Sequence, residues 1–523
     1  MDDRPALFRR SLAIAGLAAV TLTVAAGHLR LLSQPPARIL GTVPDDAFYY
    51  LQIARHLAAG HGSTFDGVHP TSGYHPGWMA LLVPLAALLP DPGSLLRGAL
   101  ALAFLLHAAA AAVLGLLFRR FTSPGLAAIG ALCWLANPFA LHLAFLGLES
   151  ALYMLSLALV LWATAVFLEG TGSARSHAGL GAALALCFLA RTEAGILALL
   201  TCAAAPAFRG SRPLSRPWLR SGLLIGIPFT LGVLPWFLYC WRATGSPWQT
   251  SGVAKSLWAA AVLRPLSPPE RLAHLADAIG RIWLVPPWSV QDDRFLNPFV
   301  CAAILPALAG LLMAVRRPEE RPLIAGTAWL MGITVLTAAV YGLFYWEIPL
   351  WYRAQPALLI FVISYVWTLR AGAFLADRPW GRLAAVSVPA VLLAFSLIGA
   401  ISFHRHPPVT YPWQPGFYSS QAAFERLVPP GQAIGCFNAG IPAFFGRRRI
   451  VNLDGLVNSS VVPYYRNHDL GGYLDAEGLR YVADDTTTVR RAAELLAGPL
   501  RLRELACVPL SSFADRRCLW RVE

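Results

Sequence analysis

Two adjacent carboxylates open a polar run, Pro44-Asp45-Asp46-Ala47-Phe48-Tyr49-Tyr50, and a second run follows it, His69-Pro70-Thr71-Ser72-Gly73-Tyr74-His75-Pro76. Such residues have chemistry to offer. A carboxylate takes a proton from a hydroxyl, and a histidine holds a phosphate or, with Asp46, a divalent metal. Further along, Glu149 lies in Leu146-Gly147-Leu148-Glu149-Ser150. Arg191 and Glu193 lie between two apolar runs, and Arg353 closes Trp346-Glu347-Ile348-Pro349-Leu350-Trp351-Tyr352-Arg353. Ionisable groups beside apolar spans are costly and often mark a functional cavity. A fixed cation at the depth of Arg353 could hold a lipid phosphate.

Each group also has a plainer role. The two acids could cap a helix and complement its dipole, worth about 0.3–2 kcal/mol. His69 and His75 could be solvated loop histidines, and Arg191 with Glu193 a local pair at a helix junction. Arg353 could snorkel to an interface belted by its Trp and Tyr neighbours. Location favours chemistry, because these residues cluster beside apolar segments rather than in a polar domain.

The element that must position the acids is a helix predicted over 46–59, opened by Asp45 and Asp46 and closed by Gly60 and Gly62. Ala47, Leu51, Ala54 and Ala58 form an apolar stripe, with Tyr49, Gln52 and His56 on another face. That pattern predicts an amphipathic helix resting on a membrane surface.

The rest of the chain supplies the membrane. Of 523 residues, 56% are hydrophobic and 13% charged, against about 25% charged in soluble domains. Apolar runs begin at 11–27 and recur at 94–117, 124–142, 147–168, 177–190, 194–208, 219–241, 297–315, 323–345, 354–369 and 383–402. About eleven spans are therefore expected. The run 77–90 is too short to span comfortably and reads as lying along the membrane or dipping into it. With 77–90 outside the count, the arginines near 119–120, 175, 209–220, 316–321 and 370–382 share the side of the N terminus. The positive-inside rule makes that side cytoplasmic. The 30–93 loop, the 242–296 loop and the tail are then extracytoplasmic. The net charge of +14 is read as topology, not nucleic-acid binding.

From about 403 the pattern changes. Short β-like runs at 433–437, 449–453 and 479–483 alternate with helical stretches at 419–427 and 487–497, which suggests a small α/β domain. The expected division is 1–402 in the membrane and 403–523 outside it. Cys507 and Cys518 could pair in an oxidising compartment, but spacing alone does not decide it. No Walker loop, His-Glu-x-x-His or Gly-x-Ser-x-Gly is present.

The run from Pro44 to Gly62, followed by Gly73-Tyr74-His75-Pro76-Gly77-Trp78, resembles the first extracytoplasmic loop of GT-C-fold glycosyltransferases. The resemblance is to bacterial relatives of the protein mannosyltransferases and aminoarabinose transferases. Gly147–Leu152, Ala190–Ala194 and Val451–Asn458 resemble further blocks of that group. The resemblance implies a multi-pass enzyme of the bacterial inner membrane. Its donor would be a polyprenyl-phosphate-linked sugar held in the lipid bilayer, and its acceptor an envelope hydroxyl. It implies Asp45 as the catalytic base and Asp46 as a supporting or metal-binding acid. Tyr49, His69, Tyr74, His75, Glu149, Arg191, Glu193 and Arg353 would contact substrate or lipid phosphate. A polytopic transporter or lipid-linked sugar flippase is the alternative, although no inverted repeat is visible.

Overall fold

A computed structural model of the chain describes residues 4–170, 173–283, 298–345, 348–378, 380–510 and 515–523. Trp346 and Glu347 lie outside the described residues. Each expected apolar segment contains a helix, described for 297–315 from Pro298 on. Among the described residues, seven helices are long and apolar enough to cross a membrane. An eighth span arises if Pro124–Leu135 and Pro138–Phe145, bent by 49° at their junction, count as one. Ala174–Ala190, Ala194–Phe208 and Pro298–Ala314 are shorter than the roughly 20 residues a span requires. Pro76–Leu88, inside the first loop, is shorter still. Prolines begin many of these helices, including Pro36, Pro76, Pro92, Pro124 and Pro138, where the missing N–H costs nothing. Leu22, Leu105, Leu199, Leu231 and Leu312 all face outward, each at least 63% exposed, as lipid-facing positions require. The protein is a multi-pass membrane protein.

The tail folds as a five-stranded mixed sheet: β1 (Ile434–Cys436), β2 (Ile450–Asn452), β3 (Tyr481–Asp485), β4 (Leu502–Pro509) and β5 (Arg516–Val522). The order is β2-β1-β3-β5-β4. β1 pairs in parallel with β2 and β3, while β5 runs antiparallel to both β3 and β4. The first three strands fall on the β-like runs of the sequence. The β4–β5 hairpin does not, because β4 is largely exposed and β5 carries three arginines. One of these, Arg517, is fully buried and donates to Phe417 O, Ser420 Oγ and Gln421 Oε1. A disulfide joins Cys507 on β4 to Cys518 on β5.

The tail does not stand apart from the helices. Phe417, Phe424, Ile434, Ile441 and Phe444 share one continuous core with the membrane helices. The first-loop helix, Asp45–Ala58, is the hinge of this contact. Pro76–Leu88 packs on one side of it and the short tail helix Gly440–Phe445 on another. Phe48 meets the rings of Phe444 and Phe445, each 5.7 Å away between centroids. The expectation of a helix resting on a membrane surface is thus corrected. Ala47, Leu51 and Ala54 of its apolar stripe are buried, and so are Phe48, Tyr49, Tyr50 and Ile53.

Candidate active site

A cavity of about 650 Å³ opens where the first loop, the helix ends and the second loop converge. Asp46, Tyr49, Tyr50, His75, Glu149, Arg191 and Glu193 line it. The fold therefore brings together residues spread over almost 150 positions. Glu149 arrives there because Gly147, at φ +69°, turns the chain between two helices, a conformation that favours glycine. Arg191 and Glu193 sit at the break between Ala174–Ala190 and Ala194–Phe208.

Arg191 is almost wholly buried and donates to Glu149 Oε1 (2.6 Å) and to Glu193 Oε1. Tyr341 donates to Glu193 Oε1 (2.6 Å), and the Arg191 guanidinium lies 4.6 Å from the centroid of the Tyr352 ring. Burial opposes the charge on Arg191, but Glu193 and Glu149 outweigh it and hold the pKa above the ordinary arginine value. The same guanidinium overcomes burial at Glu193 and holds that carboxyl below its ordinary value. Nε and Nη1 of this arginine are both engaged by protein carboxylates.

The second cation was not among the expected site residues. Lys255, on the helix Thr250–Leu263, lines the cavity and donates to Tyr352 Oη (3.0 Å). The helix is pinned to the first loop through Ser72 and Thr250, whose hydroxyls lie 3.0 Å apart. Burial opposes the Lys255 charge, but Tyr352 and Asp46 raise its pKa above the ordinary value. Burial raises the Asp46 pKa, Lys255 counters it and Glu149 adds to it. Lys255 lies in a loop without a motif. The one mark it carries in the sequence is that it is the sole lysine among 42 basic side chains.

The paired acids separate. Asp45 does not line the cavity. Its carboxylate accepts from the amides of Gly440 (2.8 Å) and Ile441 (2.9 Å), at the start of the tail helix. A Cβ at position 440 would run into the backbone oxygen and carboxylate of Asp45, so the contact needs glycine. Burial pushes the Asp45 pKa up to about 6 although these amides pull it down.

Other expected site residues divide similarly. Tyr49 faces the cavity, and its hydroxyl lies 2.9 Å from both Phe437 O and Asp454 Oδ2. Tyr74 is buried beside the cavity against Trp236, its hydroxyl 2.8 Å from Ser63 Oγ. His69 lies elsewhere, between Asp66 Oδ2 (2.9 Å) and Glu477 Oε1 (3.0 Å) of the tail. Arg353 is half-buried and does not line the cavity.

Asp46 and His75, the expected metal ligands, share the cavity. The Lys255 ammonium acts on Asp46. His75 Nδ1 accepts from Thr192 N (3.4 Å), and its Nε2 is 3.8 Å from Glu149. Among the described residues no third His, Cys, Asp or Glu joins Asp46 and His75 as a ligand group. The grouping that does form, Glu504 with Cys507 and Cys518, has its sulfurs in the disulfide.

Solved structures share this arrangement of helices and tail. ArnT from Cupriavidus metallidurans bound to undecaprenyl phosphate is 15% identical, with 97% of each chain covered and a TM-score of 0.54. The archaeal oligosaccharyltransferase AglB from Archaeoglobus fulgidus, in complex with an inhibitory peptide and a dolichol-phosphate, is 11% identical. The match covers 94% of this chain and 72% of that one, with a TM-score of 0.55. The chain has the GT-C fold. The apo form of ArnT gives the same result at 14% identity, 97% and 98% coverage and a TM-score of 0.55. Residues 417–512 match a family described as a domain of unknown function (DUF8728). No curated protein matches the chain by sequence.

Proposed function

We propose that this chain is an integral-membrane glycosyltransferase. It moves a sugar from a polyprenyl-phosphate donor to an extracytoplasmic acceptor hydroxyl in one inverting step. The observation that carries this reading is that Asp46 and Lys255 line one cavity in the mouth of a GT-C bundle. Two structures with this fold, ArnT bound to undecaprenyl phosphate and AglB in complex with a dolichol-phosphate, support the donor class.

Asp46 is the base. It accepts the acceptor hydroxyl proton as that oxygen bonds to the anomeric carbon. The bond from that carbon to the phosphate oxygen breaks, and its electron pair leaves with the polyprenyl phosphate. Protonation of Asp46 removes a nearby negative charge just as the phosphate gains one, so the Lys255 ammonium is drawn to the leaving group. Arg191 already holds two carboxylates. Its role is to fix Glu149 and Glu193, not to bind phosphate. His75, Tyr49 and Tyr50 position the acceptor and sugar. Asp45 holds the tail over the site.

The enzyme lies in the bacterial inner membrane with its N terminus in the cytoplasm. Residues 1–402 form the catalytic membrane domain and 403–523 the extracytoplasmic one. The loop arginines support this orientation, and a disulfide in the tail suits an oxidising compartment.

The test is transfer by full-length protein in proteoliposomes, offered radiolabelled polyprenyl-phosphate sugars one at a time. Asp46→Asn should lose about a hundredfold or more, while Asp45→Asn at matched folded protein keeps most activity. The reverse ranking would return the base to Asp45. Movement of lipid-linked sugar across the bilayer with no transfer would favour a flippase.

A further inference from the structure

A second cavity, of about 370 Å³, lies away from the site just described, between the ends of the first and last membrane helices and the short helix Pro36–Leu40. Arg30, Arg38, Arg405 and His404 line it, with Phe145 and Val409 supplying apolar wall. The three guanidinium groups are exposed, and among the described residues no acidic side chain pairs with them. Arg38 donates only to the amide oxygen of Gln34 (3.2 Å), which also lines the cavity.

The His404 ring forms part of the inner wall; it is 7% exposed and is admitted because position 27 is glycine, where a Cβ would overlap it. On the topology proposed above this is the extracytoplasmic face, where arginines in short segments are not a topology signal. Their charge needs another explanation.

We infer that this cavity binds the phosphate of an anionic membrane lipid, with Arg30, Arg38 and Arg405 around the phosphate and the lipid's apolar part along Phe145 and Val409. Guanidinium groups suit phosphate oxygens through paired N–H donors. The cavity's apolar wall selects a lipid over a free anion. The site also bears on the catalytic segment. Tyr411 N, just past Val409, donates to Gly41 O (2.8 Å), four residues before Asp45.

The experiment uses full-length protein in detergent, titrated with short-chain phosphatidylglycerol, phosphatidylcholine or inorganic phosphate and followed by thermal unfolding. Phosphatidylglycerol should raise the unfolding temperature and phosphatidylcholine should not. The combined Arg30→Gln, Arg38→Gln, Arg405→Gln variant should bind phosphatidylglycerol roughly a hundredfold more weakly, from about fivefold per arginine near a lipid phosphate. Because these positions are exposed, the unliganded variant should unfold at the wild-type temperature. Asp46→Asn should retain the phosphatidylglycerol response, which separates this site from the catalytic one. An unchanged response in the triple variant overturns the inference. So does an equal response to phosphatidylcholine. An equal response to inorganic phosphate overturns the lipid assignment.

Discussion

Asp45 places a carboxylate oxygen 2.8 Å from the amide of Gly440, so one of two adjacent acids closes the start of a helix 395 positions away. Its neighbour Asp46 is left to face the cavity. Successive helical residues point about 100° apart, and that rotation is what divides the pair between docking and chemistry.

Asp45→Ala should therefore behave as the loss of a helix cap. The expected cost is about 1–2 kcal/mol of stability, with earlier proteolysis of the tail in a timed digest. Gly440→Ala should produce the same digest pattern by pushing Asp45 away. Transfer per folded molecule by Asp45→Ala should stay within roughly tenfold of wild type, unlike the loss of a general base.

The first-loop helix was legible because its start and stop residues are local. Its surroundings were not, because the surface that covers it is built by residues near 440. Glu149, Arg191, Glu193 and His75 were legible as costly polar groups beside apolar runs, and they do converge. Lys255 was not, since a lone lysine in a long basic loop has no spacing to read. His69 looked like His75 in sequence, but only His75, just before the helix Pro76–Leu88, lines the cavity. The β4–β5 hairpin escaped because its stability rests on the disulfide and on the buried Arg517 contacts rather than on an alternating apolar pattern.

Arg191→Met should be severely destabilising. It leaves Glu149 and Glu193 buried without their cation, a change that costs about 3–5 kcal/mol. Adding Glu149→Gln and Glu193→Gln should restore most of the unfolding temperature but not transfer. If the single variant is as stable as wild type, the triad is not a structural unit.

Lys255→Met should move the acidic limb of the pH–rate profile to higher pH. Burial raises the Asp46 pKa and Lys255 is the charge that counters it, so without the ammonium Asp46 stays protonated further up the scale. Transfer at neutral pH should fall by about tenfold or more. Lys255→Arg should return the limb toward its wild-type position, although a planar guanidinium does not replace the ammonium fully.

The contact between His69 and the tail makes docking pH-dependent. His69 sits between Asp66 and Glu477, and Arg449 reaches Asp66 (2.9 Å) and Glu477 (3.6 Å) from β2's leading edge. The Asp66 hydrogen bond, opposed by burial, raises the His69 pKa above its ordinary value. A histidine raised on folding binds its proton more tightly in the folded state. Its contribution is complete below the unfolded value of about 6.5 and is lost as pH rises through the folded one. Hydrogen exchange at the amides of Val68 and His69, both held by Asp66 Oδ1, should therefore speed up above neutral pH beyond the intrinsic base catalysis of exchange. His69→Gln should abolish that extra dependence while leaving the Arg449–Asp66 pair in place. Exchange with the same excess dependence in the variant would mean that another group carries the docking.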